Sequence, residues 1–145
     1  MEEPLCDADG LYGGRLVPRE QATLLVYLSW LGFITGLVGI AYGWKWYGLA
    51  VCVGSVLAQM YWSDPTYSWR RTLDITWVQG LIWLHLIAAW SSSVFWPYMV
   101  IQLTGVVAYA LSWLFLKQGR TWPSTLAHAT VHLCANGSLL LLYCM

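Results

Sequence analysis

A few polar side chains stand where they could do chemistry in an otherwise apolar chain. His128 and His132 are four residues apart. On a helix that places them one turn apart, about 6 Å along the axis, close enough for two imidazoles to share a metal ion. Thr121, Thr125 and Asn136 continue the same helical face in steps of four and three. Asp74 and His85 lie eleven residues apart, a spacing that returns almost to one face, and Ser55 and Gln59 are again one turn apart. Two histidines and a carboxylate can hold zinc and leave a position for water, so His128 and His132 are candidate metal ligands and Asp74 a candidate catalytic group, while Ser55 and Gln59 on their own are ordinary interhelical polar residues. His85 and His132 form an alternative pair of axial ligands for haem b, at depths about 5 Å apart on the helical rise. Each group also has a structural use. Asp74 can stabilise a helix N-terminus or pair with Arg70 or Arg71, and the histidines can bond neighbouring helices.

The elements that must position these residues are membrane spans. Hydrophobic residues make up 59% of the 145 and charged residues 10%, against roughly 25% charge in a soluble domain. The mean hydropathy of +0.56 agrees. The formal net charge is zero and no basic patch occurs, which excludes a nucleic-acid partner of the usual electrostatic kind. A helix needs about 20 mainly apolar residues to cross the hydrocarbon core. Five stretches qualify, at residues 21–43, 47–63, 73–91, 96–116 and 122–143, which predicts an all-α bundle after a polar tail over residues 1–20. Pro18, Pro97 and Pro123 fall at helix starts, where a missing N–H costs nothing. Ser63-Asp64-Pro65 reads as a cap before a short interfacial helix running to Arg71. The first nineteen residues carry Glu2, Glu3, Asp7 and Asp9 and no apolar core, so the first span is expected to direct insertion in place of a cleaved signal peptide. Cys6, Cys52, Cys134 and Cys144 form no Cys-x-x-Cys pair, and the spacing suggests neither a disulfide framework nor a zinc ribbon.

Charge sets the expected orientation. Arg15, Arg19, Arg70, Arg71, Lys117 and Arg120 fall on one side and only Lys45 on the other. The positive-inside rule then puts the N-terminus in the cytoplasm and the C-terminus outside. Trp44, Trp46, Trp62, Trp69, Trp90, Trp96, Trp113 and Trp122 lie near span ends, as an aromatic belt requires. Gly32, Gly36, Gly39 and Gly43 share one face of the first span, where small residues admit a close helix: one of this bundle, or a partner's.

The polar residues resemble those of the membrane hydrolase superfamily of alkaline ceramidases and progestin/adiponectin receptors. That family carries Ser-x-x-x-His late in one helix, Asp early in the next and His-x-x-x-His early in the last. Ser55 matches the serine, Asp74 the aspartate, and His128 and His132 the final pair, while Gln59 stands at the third histidine and five spans replace seven. The resemblance implies a zinc-dependent lipid hydrolase, or its inactive relic, with a lipid substrate and with Asp74 and Ser55 as the catalytic groups that assist the water chemistry. A haem b electron-transfer protein and a non-catalytic assembly subunit are the other readings.

Overall fold

The computed structural model describes residues 13–145. Cys6 and the acidic residues Glu2, Glu3, Asp7 and Asp9 lie outside them. Five helices follow in chain order: α1 (Arg19–Ala41), α2 (Lys45–Trp62), α3 (Trp69–Ala89), α4 (Phe95–Lys117) and α5 (Thr121–Tyr143). All except α2 are long and apolar enough to cross a membrane. The 18 residues of α2 extend about 27 Å at 1.5 Å per residue, close to the ~30 Å hydrocarbon core. It runs antiparallel beside α1. Val17, Ala22 and Leu25 pack on Ala58, Tyr61 and Trp62 at one end, and Gly36 meets Gly48 towards the other. The chain is a polytopic helical membrane bundle.

Two of the turns are built by glycine in the left-handed region. Gly43 (φ +92°) and Gly119 (φ +72°) each follow a helix end. Behind them Trp44 N–H donates to the Gly39 carbonyl at 2.8 Å, and Arg120 N–H to the Phe115 carbonyl at 2.9 Å. These bonds, with Gly43 N–H to Ile40 and Gly119 N–H to Leu116, are Schellman closures that satisfy the last carbonyls of α1 and α4.

The α2–α3 connection departs from the sequence expectation. No interfacial helix runs from Pro65; residues 63–68 form bends, and α3 starts at Trp69 with Arg70 and Arg71 in its first turn. Asp64 is drawn away from capping by Arg15, whose Nε lies 3.1 Å from Oδ1. The Pro65 carbonyl accepts from Leu16 N–H at 2.9 Å. The end of the polar tail is therefore part of the packed structure, with Leu16 and Val17 buried.

The helices are arranged as an arc in the order α3, α2, α1, α5, α4. Trp77 Nε1 donates to the Ala50 carbonyl at 3.0 Å and ties α3 to α2. Gln21 clamps α1 to α5: its Nε2 donates to Thr121 Oγ1 at 3.1 Å and its Oε1 accepts from Thr125 Oγ1 at 2.8 Å. Ser124 Oγ donates to the Ser112 carbonyl at 2.9 Å and joins α5 to α4. Among the described residues α3 and α4, the two ends of the arc, are not closely packed on one another.

The glycine face of α1 is taken up by the chain's own helices. A Cβ at Gly36 would lie 2.5 Å from Cys52 Sγ and 2.6 Å from the Gly48 carbonyl oxygen, and one at Gly39 would lie 2.6 Å from the Tyr143 ring. Gly32 similarly faces Ser55. Of the residues considered for a partner helix, only Gly43 is left open, and it is in a turn. The tryptophans divide. Trp46, Trp69, Trp90, Trp96 and Trp122 are exposed, as a belt requires, but Trp62 is buried and Trp44 and Trp113 are half-buried. Their inward turn corrects the sequence expectation for those three.

Candidate functional site

The arc encloses a cavity of about 280 Å³ to which all five helices contribute. For scale, an engineered apolar cavity of about 150 Å³ is large enough to hold benzene. Ser55, Asp74, His85, His128, His132 and Asn136 all line it. The polar residues singled out in the sequence therefore converge on one space, as the cost of a polar group facing lipid demands. Gln59 does not line the cavity; it turns to Ser55, its Nε2 donating to Oγ at 3.2 Å.

The groups differ in how far the protein satisfies them. Ser55 spends its proton on the Ser29 carbonyl, 2.5 Å away across the α1–α2 seam. His85 is satisfied at both nitrogens. Nδ1 lies 2.8 Å from the Leu81 carbonyl, which can only accept, so Nδ1 carries the proton. Nε2 then accepts from the Tyr143 hydroxyl at 2.7 Å. Either nitrogen that His85 could offer to a haem iron is engaged within the protein. Changing Tyr143 to phenylalanine should leave Nε2 of a 1%-exposed ring without a donor, a loss of about 1–3 kcal/mol. Thermal unfolding in detergent, followed by tryptophan fluorescence, should show the lower midpoint; an unchanged midpoint would mean that this bond contributes nothing.

Asp74 and His132 are different. Asp74 is 9% exposed. Its Oδ1 and the Nε2 of His132 are buried without a hydrogen-bond partner. Arg71, one turn before Asp74, does not pair with it: its guanidinium lies over the Tyr67 ring at 5.5 Å and the Trp113 ring at 4.9 Å. That contact bridges α3 and α4 at one end of the cavity. His128 is boxed by aromatic rings, with Trp62 at 4.7 Å, His132 at 5.4 Å and Tyr109 at 6.0 Å between centroids. Among the described residues no three His, Cys, Asp or Glu side chains stand close enough to share a metal ion. The donor set present does not fit a three-ligand zinc centre.

Sequence reasoning missed the cavity's aromatic and cationic members. Trp62 and Trp113 look like belt residues, and Arg71 like an orientation signal; only tertiary packing turns them inward. The cavity also reaches the outer surface. Val78 of α3 and Val106 of α4 both line it, yet are 37% and 53% exposed. The opening lies between α3 and α4, between the Arg71–Trp113 contact and the packing of Ala89 near Tyr98.

No protein-family profile and no solved structure matches the chain. The chain is 30% identical over 74 residues to a Caenorhabditis elegans protein named Putative transporter B0361.11. The match covers 50% of this chain, which spans about 13% of that relative's length.

Proposed function

We propose that the chain is a transport-type solute-binding bundle whose ligand site is the interior cavity. One observation carries the reading: a space lined by all five helices whose wall includes a buried carboxylate and an imidazole, each with an atom that has no hydrogen-bond partner. Ionisable groups within a membrane are retained where they meet a ligand, an ion or a proton. Sites of this kind are concave and mainly apolar, with a few polar groups that set orientation. The similarity to a protein named as a transporter supports the class. The cavity's reach to the lipid-facing surface between Val78 and Val106 suits a solute that first dissolves in the bilayer.

Indole, small, neutral and aromatic, is a suitable probe. In lipid nanodiscs it should raise the unfolding midpoint of the native protein in a saturable way. It should not do so in Ala135→Phe, whose added ring takes up space in the cavity. Equal shifts in both proteins, or none in either, would remove the cavity as a ligand site.

A further inference from the structure

We infer that the cavity selects a lipophilic amine in its ammonium form, held by Asp74. The inference rests on the binding role proposed above and adds the chemical class of the ligand. Of these two unpartnered atoms, Asp74 Oδ1 is a carboxylate oxygen and accepts, and His132 Nε2 accepts in the tautomer with the proton on Nδ1. A ligand that completes Asp74 must bring an N–H or O–H donor. The charge narrows the choice further. A buried carboxylate with no cation beside it is costly, and removing that cost is what a cationic head can do and a neutral one cannot. Arg71 is the one lysine or arginine lining the cavity among the described residues, and it is held over Tyr67 and Trp113 away from a salt bridge with Asp74. The rest of the wall suits the ligand's body and its charge. Ile75, Val78 and Ile82 supply apolar surface, and Trp62 and Tyr109 supply ring faces that attract cations.

Three probes of nearly equal size and different heads separate the possibilities: 2-phenylethylammonium, 2-phenylethanol and phenylacetate. Binding is measured calorimetrically in nanodiscs of zwitterionic lipid, with empty nanodiscs subtracted for partitioning. The ammonium should bind at least about tenfold more tightly than the alcohol, and phenylacetate least, as a charge-assisted bond to a carboxylate requires. Asp74→Asn should abolish the preference for the ammonium over the alcohol. An unfolding midpoint close to the native protein's, followed by tryptophan fluorescence, shows that the variant is folded. Asp74→Glu keeps the charge and should keep the order of preference. Alcohol and ammonium binding equally, or a preference that survives Asp74→Asn, would overturn the assignment and leave the cavity reading intact. Binding of none of the three would overturn both.

Discussion

Alanine at Gly36 or Gly48 is expected to open the α1–α2 seam and cost the protein its fold. The new Cβ at Gly36 meets Cys52 Sγ at 2.5 Å, the Gly48 carbonyl at 2.6 Å and Cys52 N at 2.9 Å. At Gly48 it meets the Gly36 carbonyl oxygen and, at 2.8 Å, the Ile40 nitrogen. Most of these obstacles are backbone, which cannot turn aside as a side chain can. The helices must separate, and with them go the Ser55–Ser29 bond and the close packing that holds helices together in lipid. Overpacking typically costs 1–3 kcal/mol even where side chains can yield, so a loss of about 3 kcal/mol or more is expected here. Against a total of roughly 5–15 kcal/mol, that should show as a collapse in monodisperse yield and a large drop in the unfolding midpoint. Gly80 and Gly137 are the controls. Nothing lies within 4 Å of a Cβ at either, and alanine inside a helix gains roughly 0.5–1 kcal/mol over glycine. Equal loss at all four glycines would mean that helix flexibility, not close approach, is what Gly36 and Gly48 supply.

The glycines also show where sequence reading stops. Spacing places Gly32, Gly36, Gly39 and Gly43 on one face, but it does not say which helix meets that face. Three face this bundle's own α2 and Tyr143, and the fourth makes a turn. The polar cluster behaves alike. Helical periodicity assigns His128, His132 and Asn136 to one side of α5, and the cost of a polar group in lipid turns that side inward. That much was legible. The neighbours were not, because they depend on how far each helix slides and rotates against the next. His85 finds its partner in Tyr143, 58 residues on. Gln59, one turn from Ser55, is rotated off the cavity wall. Trp62 and Trp113 have the position of belt residues and the contacts of cavity residues. The α2–α3 link reads as a capped helix start, yet Arg15, 49 residues earlier, claims the carboxylate that would cap it. Local signals set the elements, and contacts distant in sequence decide which alternative each local signal takes.

The largest effect expected outside stability is on topology, where the readout is all or none. Six of the seven lysines and arginines, Arg15, Arg19, Arg70, Arg71, Lys117 and Arg120, lie at the bundle end that carries the 63–68 and 117–120 connections, and Lys45 alone at the other. The bias should hold the first end in the cytoplasm. Whether the termini then lie on opposite sides turns on α2, the one helix whose composition falls short of a self-sufficient span. Packing supplies what its hydropathy lacks. Gly48, Val51, Cys52, Gly54, Ser55, Ala58, Tyr61 and Trp62 are buried within the bundle, so the neighbouring helices cover part of the surface that lipid would otherwise have to accept. Its polar side chains have partners, as Gln59 has in Ser55 and Ser55 has in Ser29. An odd number of crossings is therefore expected. Cys144 is exposed near the C-terminus, and Gln118 is exposed in the α4–α5 connection. In intact cells expressing a variant with Cys6 and Cys134 changed to serine, a membrane-impermeant maleimide should label Cys144. A cysteine introduced at Gln118 in a Cys144→Ser background should react only after the cells are permeabilised. Labelling of Gln118→Cys from outside, with Cys144 protected, would invert the orientation. Both positions reacting from the same side would mean that α5 does not cross the membrane. An N-terminal tag found on the same side as Cys144 would remove α2 as a crossing segment and, with it, the antiparallel seam on which the cavity is built.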